Sequence, residues 1–270
     1  MDWNKTKTIF IIVFSIVNVF LYHLYLNKVT QAQNVQVLGE TPIEELLKME
    51  NITYDKLPPF KNEPFYVSAK PMTFSDAKVA ELENQKGEVV DETLLKSTLY
   101  EPFSVMNVKG EFEFTEFLSK YVLGGENYIQ WEVNKEERKA LLFREVDGNP
   151  IYYSRNAMLT VYWNEDGKVT SYEQSMLSEF DRFNRKNDLL SPIEAIGNLY
   201  SRDYLKKDYK VKQMTLGYSS LVQVTETQVF APTWHVRVEL KDGEIEDYFI
   251  NAIEGMIIEF QPEPLEEENE

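Results

Sequence analysis

The chain has 270 residues, 43% hydrophobic and 13% aromatic, with a formal net charge of −17, two histidines and no cysteine. That is too apolar for a disordered chain and long enough for one large core or two smaller ones. Disulfides, thiolate chemistry and cysteine metal sites are excluded, and the acidic balance argues against nucleic acid, polyanions and anionic lipid headgroups as partners.

The first element is the run "TIFIIVFSIVNVFLYHLYLNK". Residues 9–26 carry no charge and at about 1.5 Å per residue reach roughly 27 Å, enough to cross the hydrocarbon of a bilayer. A cleavable signal would have a shorter apolar core and a small-x-small site, whereas bulky "YLNKVTQAQNV" follows here, so a retained anchor is expected. Lys5 and Lys7 precede the span and Lys28 is the close charge after it, which places residues 1–8 in the cytoplasm. Localisation is then a single-pass cell-membrane protein with its C-terminal region extracytoplasmic. Without Asp2, Lys5, Lys7 and Lys28, the remainder holds 25 basic and 44 acidic side chains, net −19.

Residues 27–40 are polar and aperiodic and are expected to form a tether. At "TPIEELLKM" Thr41, Pro42 and Glu44 have the spacing of a helix start with a capping box, and "SPIEAIGNLYSRDYL" repeats the device with Ser191, Pro192 and Glu194. A further helix is expected in "EFEFTEFLSKYV". Between and after these lie apolar alternations bounded by turn residues: "NYIQWEV", "ALLFREV", "PIYYS" and "AMLTVYW", then "YKVKQMTLGY", "QVFAPTWHVRVEL", "EIEDYFINAI" and "GMIIEF". They predict antiparallel strands. The hairpins around Asp166-Gly167 and Asp242-Gly243 are alike, each with a tyrosine five residues after the glycine, Tyr172 and Tyr248. Either any two hairpins look like this, or helix plus antiparallel strands is repeated over 111–182 and 191–260. The expected fold class is α+β: one transmembrane helix, then two related modules over 41–182, with an N-terminal addition, and 191–262. The tail 263–270 is acidic and solvated.

Little of this carries chemistry. His23 lies in the span and His235 in a strand, so a triad or histidine metal centre has too few parts; no phosphate-binding, dinucleotide or H-E-x-x-H motif is present. No catalytic, metal or cofactor residues are assigned. Carboxylates abound, as a hydrolase or calcium site would need, but Glu44-Glu45, Glu136-Glu137 and "EIED" read as solvated faces and no D-x-D-x-D-G loop is found. Trp131, Trp163 and Trp234 read as core. What remains is the apolar helix. At 100° per residue Thr8, Ser15, Asn18, Tyr22 and Tyr25 share an arc of about 100°. Headgroup proximity accounts for Thr8 and the tyrosines but not for Asn18. A polar bond across a helix interface contributes roughly 0.6 to 2 kcal/mol, so a partner helix is expected at this face.

The opening Met1-Asp2-Trp3, the "TIFIIVF" run, the cysteine-free acidic remainder and "YFINAIEGMI" together resemble the YycI (WalI) family of low-GC Gram-positive bacteria, over the whole length. The resemblance implies a non-enzymatic regulator without cofactors. It would act with a YycH-like protein on the sensor histidine kinase YycG (WalK) of a cell-wall two-component system, largely through transmembrane helices. It also implies modules similar to the C-terminal domains of YycH, and homo- or hetero-oligomeric assembly. Carried onto this chain, the contact lies in residues 9–26, with Ser15, Asn18, Tyr22 and Tyr25 as its face. The alternative is an extracytoplasmic module that binds a cell-wall or peptide ligand, the helix being only a tether.

Overall fold

The computed structural model describes residues 3–33, 42–62, 65–184, 188–223 and 227–260. Thr41, residues 34–40 of the expected tether and the acidic tail 263–270 lie outside them. The first helix, α1 (Trp3–Gln33), continues past residue 26 through the start of the expected tether. Two short elements, α2 (Ile43–Met49) and β1 (Thr53–Tyr54), precede β2 (Phe65–Pro71), α3 (Asp76–Ala80), β3 (Gln85–Val90) and β4 (Leu94–Ser104). After α4 (Thr115–Tyr121) come β5 (Tyr128–Asn134), β6 (Lys139–Val146), β7 (Asn149–Tyr152), β8 (Met158–Trp163), β9 (Lys168–Ser175) and β10 (Leu177–Asn184). The last helix, α5 (Pro192–Ser201), leads into β11 (Lys210–Gln223), β12 (Gln228–Glu239), β13 (Ile245–Asn251) and β14 (Ile257–Ile258). The fold is mixed α+β and mostly sheet.

Local chemistry explains why these residues form these elements. Ser191 Oγ accepts from the Glu194 amide at 3.4 Å while Glu194 Oε2 accepts from the Ser191 amide at 2.8 Å, closing the capping box of α5. Pro42, by contrast, is the residue before α2 rather than its first helical position and makes no side-chain cap. The turns after β8 and β12 are closed by the same pair of backbone bonds. The Asn164 amide donates to Lys168 O and the Gly167 amide to Asn164 O; Leu240 donates to Glu244 O and Gly243 to Leu240 O. Both glycines take positive φ, +71° and +91°. The two matching tyrosines reach similar places: Tyr172 Oη donates to Tyr121 O at the end of α4 at 2.7 Å, while Tyr248 Oη lies 3.4 Å from Tyr204 O just past α5 and donates to Glu246 Oε2.

One continuous path of strands runs β10-β2-β12-β11-β7-β6-β8-β9-β4-β3, with β13 alongside β12, β14 alongside β13 and β5 alongside β6. Two principal cores lie on it. Phe117, Leu118 and Tyr121 of α4 pack on Leu95, Leu142, Leu159 and Tyr172, and Ala195, Ile196 and Leu199 of α5 on Trp234, Val236 and Ile250. Leu47 of α2 joins the second core, and β1 pairs in parallel with β11, so residues 43–54, which the sequence groups with the first module, are held by the second. Ile43 sits over Gly197, where an added Cβ would lie 2.8 Å from its Cδ1. The regions are joined through β7, antiparallel to β6 and parallel to β11.

The side chains of α1 described from Phe10 to Tyr22 are all exposed. Ile9, His23, Tyr25 and Leu26 have side chains outside the described set. Among the described residues no helix is long and apolar enough to cross a membrane.

Candidate functional site

Two places collect side chains that core packing does not explain. The first is α1. Ser15, Asn18 and Tyr22 fall on one side of it, together with Ile11, and Phe10, Val13, Val17, Phe20 and Leu24 on the other. Asn18 Nδ2 donates to Phe14 O in the preceding turn at 2.8 Å. One of the amide's two N–H donors is thus engaged within its own helix, which leaves the second N–H and Oδ1 for a neighbour. Tyr25, the fourth residue of the expected face, has its side chain outside the described set.

The second place is the face of the β12–β13 hairpin turned toward β5–β7. Antiparallel register sets Arg237 opposite Asp247 and His235 opposite Phe249. The side chains complete the pairing: His235 Nε2 lies 2.6 Å from Asp247 Oδ1, while Arg237 donates from Nε to Oδ1 and from Nη2 to Oδ2 at 2.9 and 3.0 Å. His235 is 2% exposed. Burial pushes the Asp247 carboxyl up, but the hydrogen bonds and charges of His235 and Arg237 outweigh it and hold it down at about 2. With Asp247 ionised, His235 Nε2 is the donor of that bond.

Aromatic rings enclose this pair. Trp131 of β5 lies 4.7 Å, centroid to centroid, from the His235 ring, and its Nε1 donates to Tyr153 Oη at 3.0 Å. Phe249 stacks on His235 at 5.0 Å, and Phe260 packs against both Tyr153 and Phe249 at 4.6 and 4.8 Å. Tyr153, directly after β7, has φ +45°, a strained backbone for a tyrosine, which turns its ring into the cluster. Burial raises the Tyr153 hydroxyl above the ordinary tyrosine range, and Tyr248 is raised by burial and by Glu246. Both are therefore neutral donors at physiological pH.

Beside the cluster opens a cavity of about 490 Å³, lined by Tyr153, Tyr204, Asp247, Tyr248, Phe249 and Phe260, with β14 and Glu259 forming the remaining wall. This is the size of an ordinary ligand site. It supplies aromatic faces, the carboxylates of Asp247 and Glu259, and neutral phenols. Among the described residues no group of His, Asp or Glu could hold a metal ion.

Sequence reasoning read "EIED" as a solvated face and Trp131 as core. The signal that would have found the pair is the hairpin itself: counting outward from Asp242, residues 237 and 247 are equidistant, as are 235 and 249. Tyr153 and Phe260 had no such signal, since they reach the site from other elements. "NAIEG" has a structural role: Asn251 Oδ1 accepts from the Ile253 and Glu254 amides, and Gly255 at φ +67° packs on Asn198 of α5.

The family model described as "YycI protein" matches residues 31–253. No curated protein matches the chain. Two solved structures are similar: an uncharacterized protein from Eubacterium rectale ATCC 33656, at 13% identity, with 78% of this chain and 91% of that one covered and a TM-score of 0.45, and the Bacillus megaterium YpeB C-terminal domain, at 14% identity, with 82% and 95% covered and a TM-score of 0.41.

Proposed function

The chain belongs to the YycI family, regulators of the YycFG two-component system, and from that premise we propose that it is a membrane-anchored accessory protein that biases the sensor kinase YycG (WalK) through its N-terminal helix. Residues 9–26 cross the membrane, residues 1–8 are cytoplasmic and the sheet-rich remainder is extracytoplasmic. A YycH-like protein shares the assembly. The observation that carries this reading is a continuous helix, α1, whose described apolar side chains from Phe10 to Tyr22 are exposed, covered by no other part of the fold among the described residues. An apolar surface of that kind has to be covered by lipid or by another helix.

The polar face Ser15, Asn18, Tyr22 and Tyr25 supplies the contact. With one N–H of Asn18 engaged with Phe14 O, Asn18 offers its second N–H and Oδ1 to a polar group on the kinase or YycH-like helix. For regulation, the contact has to be stronger in one kinase conformation than in the other, since equal affinity for both shifts no population. Replacing Asn18 by Leu keeps the helix apolar and removes the amide. Co-purification with the kinase or the YycH-like protein from membranes then weakens by about 3- to 20-fold. Unchanged association together with unchanged target-gene output would remove Asn18 from the contact.

A further inference from the structure

The cavity beside Asp247 lies along a sheet edge. Strand β14 pairs only with Phe249 and Ile250 of β13, so Ile245, Glu246, Asp247 and Tyr248 have β12 on one side and no strand on the other among the described residues. These positions are exposed or half-buried. An unpaired run of backbone amides and carbonyls is a template for an added strand. Here the cavity reaches around the template, with residues from both faces in its wall. Asp247 and Phe249 point to the side of Tyr153 and Phe260, and Tyr248 to the side of Tyr204, with which it makes an edge-on contact at 5.5 Å.

Charge identifies what would fit. Glu246, Asp247 and Glu259 stand at the groove, and Glu132 faces Tyr153 from β5; Arg237, already bonded twice to Asp247, is the cation among them. The balance is negative. Rings of Tyr153, Phe249 and Phe260 present π-faces that favour a cation further. The chain's own continuation beyond Phe260, "QPEPLEEENE", has the same sign as the groove and is a poor occupant.

We propose that this groove takes an extended peptide segment carrying a basic side chain: its backbone adds to the free edge of β13, and its ammonium or guanidinium group settles among Tyr153, Phe260 and the Asp247 and Glu259 carboxylates. The site is independent of the membrane helix, so it stands or falls separately from the function proposed above.

The test uses the full-length protein in detergent and reads the Trp131 indole N–H resonance, since that group is bonded to Tyr153 Oη. The probes are a capped pentapeptide with valine on both sides of a central lysine, the same peptide with norleucine or glutamate at the centre, and N-acetyl-lysine amide. The expected result is a saturable shift with the lysine peptide. It is weakened about five-fold by F260L, which keeps bulk but removes the ring, and by E259Q at an exposed position that spares the core. Norleucine should bind several-fold more weakly than lysine. Equal binding of lysine and norleucine, or tighter binding of glutamate, would overturn the charge assignment; equal binding of N-acetyl-lysine amide and the pentapeptide would overturn strand addition. A Trp131 shift on deleting residues 261–270, with no response to lysine peptide before or after, would assign the groove to the chain's own tail and overturn the proposal.

Discussion

Gly255 shows how a single residue sets the second core. Its φ is +67° and an added Cβ would lie 2.6 Å from Asn198 Nδ2 inside α5, so both backbone strain and collision oppose any side chain. G255A is expected to destabilise the fold by about 1–3 kcal/mol, read as a lower denaturant midpoint of the full-length protein in detergent. Asp247 sets the acid response. Its carboxyl is held at about 2 in the fold against about 3.9 unfolded, so its stabilisation is present above about pH 4 and is lost as the pH falls toward 2. Over that window the protein should lose about 2 kcal/mol through this group. Tyr152 and Tyr153, which also face it, are raised by burial and stay neutral throughout. D247N should flatten this acid slope, and an unchanged slope would show that Asp247 does not hold the pair together.

Among the elements, α5 and the two Asp-Gly hairpins were legible in the sequence because their signals are local: a capping box three residues apart, and a glycine that must take positive φ. S191A removes the hydroxyl that accepts from the Glu194 amide, leaving the Ser191 backbone bond to Glu194, and should cost about 1 kcal/mol, measurable by thermal unfolding. Strands β3 and β4 were not legible, although β4 alternates cleanly between buried and exposed residues. Ser97 on its inward face is 2% exposed and bonded to Gln85 Oε1 at 2.7 Å, while Gln85 Nε2 donates to Tyr121 O. A buried polar pair occupies positions that hydropathy assigns to solvent, and Tyr100 on the outward face is 70% exposed. Pro102 inside β4 adds a signal against a strand. The position of α2 was hidden for another reason: its pairing with α5 depends on Gly197 leaving room for Ile43.

At the scale of the whole molecule, the strand path is one that local signals do not carry. Strand β2, near the start of the sheet region, pairs with β10 and β12, and β7 joins the two cores by running parallel to β11 at Tyr218 and Ser219. That approach requires Gly217, where a Cβ would lie 2.4 Å from the Tyr152 ring and 2.5 Å from Pro150 O. G217A should therefore loosen the join between the regions, seen as faster amide exchange in β7 and β11 while α4 and its core stay protected. Of the groove, the Asp247 pairing could have been counted from its turn, but Tyr153 and Phe260 come from elsewhere in the chain. The helix face of α1 was wholly a matter of sequence periodicity. It remains the centre of the functional account, and exchanging residues 9–26 for an unrelated membrane-spanning segment tests it most directly, with target-gene output of the YycFG system read in cells lacking the native protein. Loss of kinase control is expected although the sheet-rich part is produced at its normal level; control retained with the foreign span would show that the helix is only a tether.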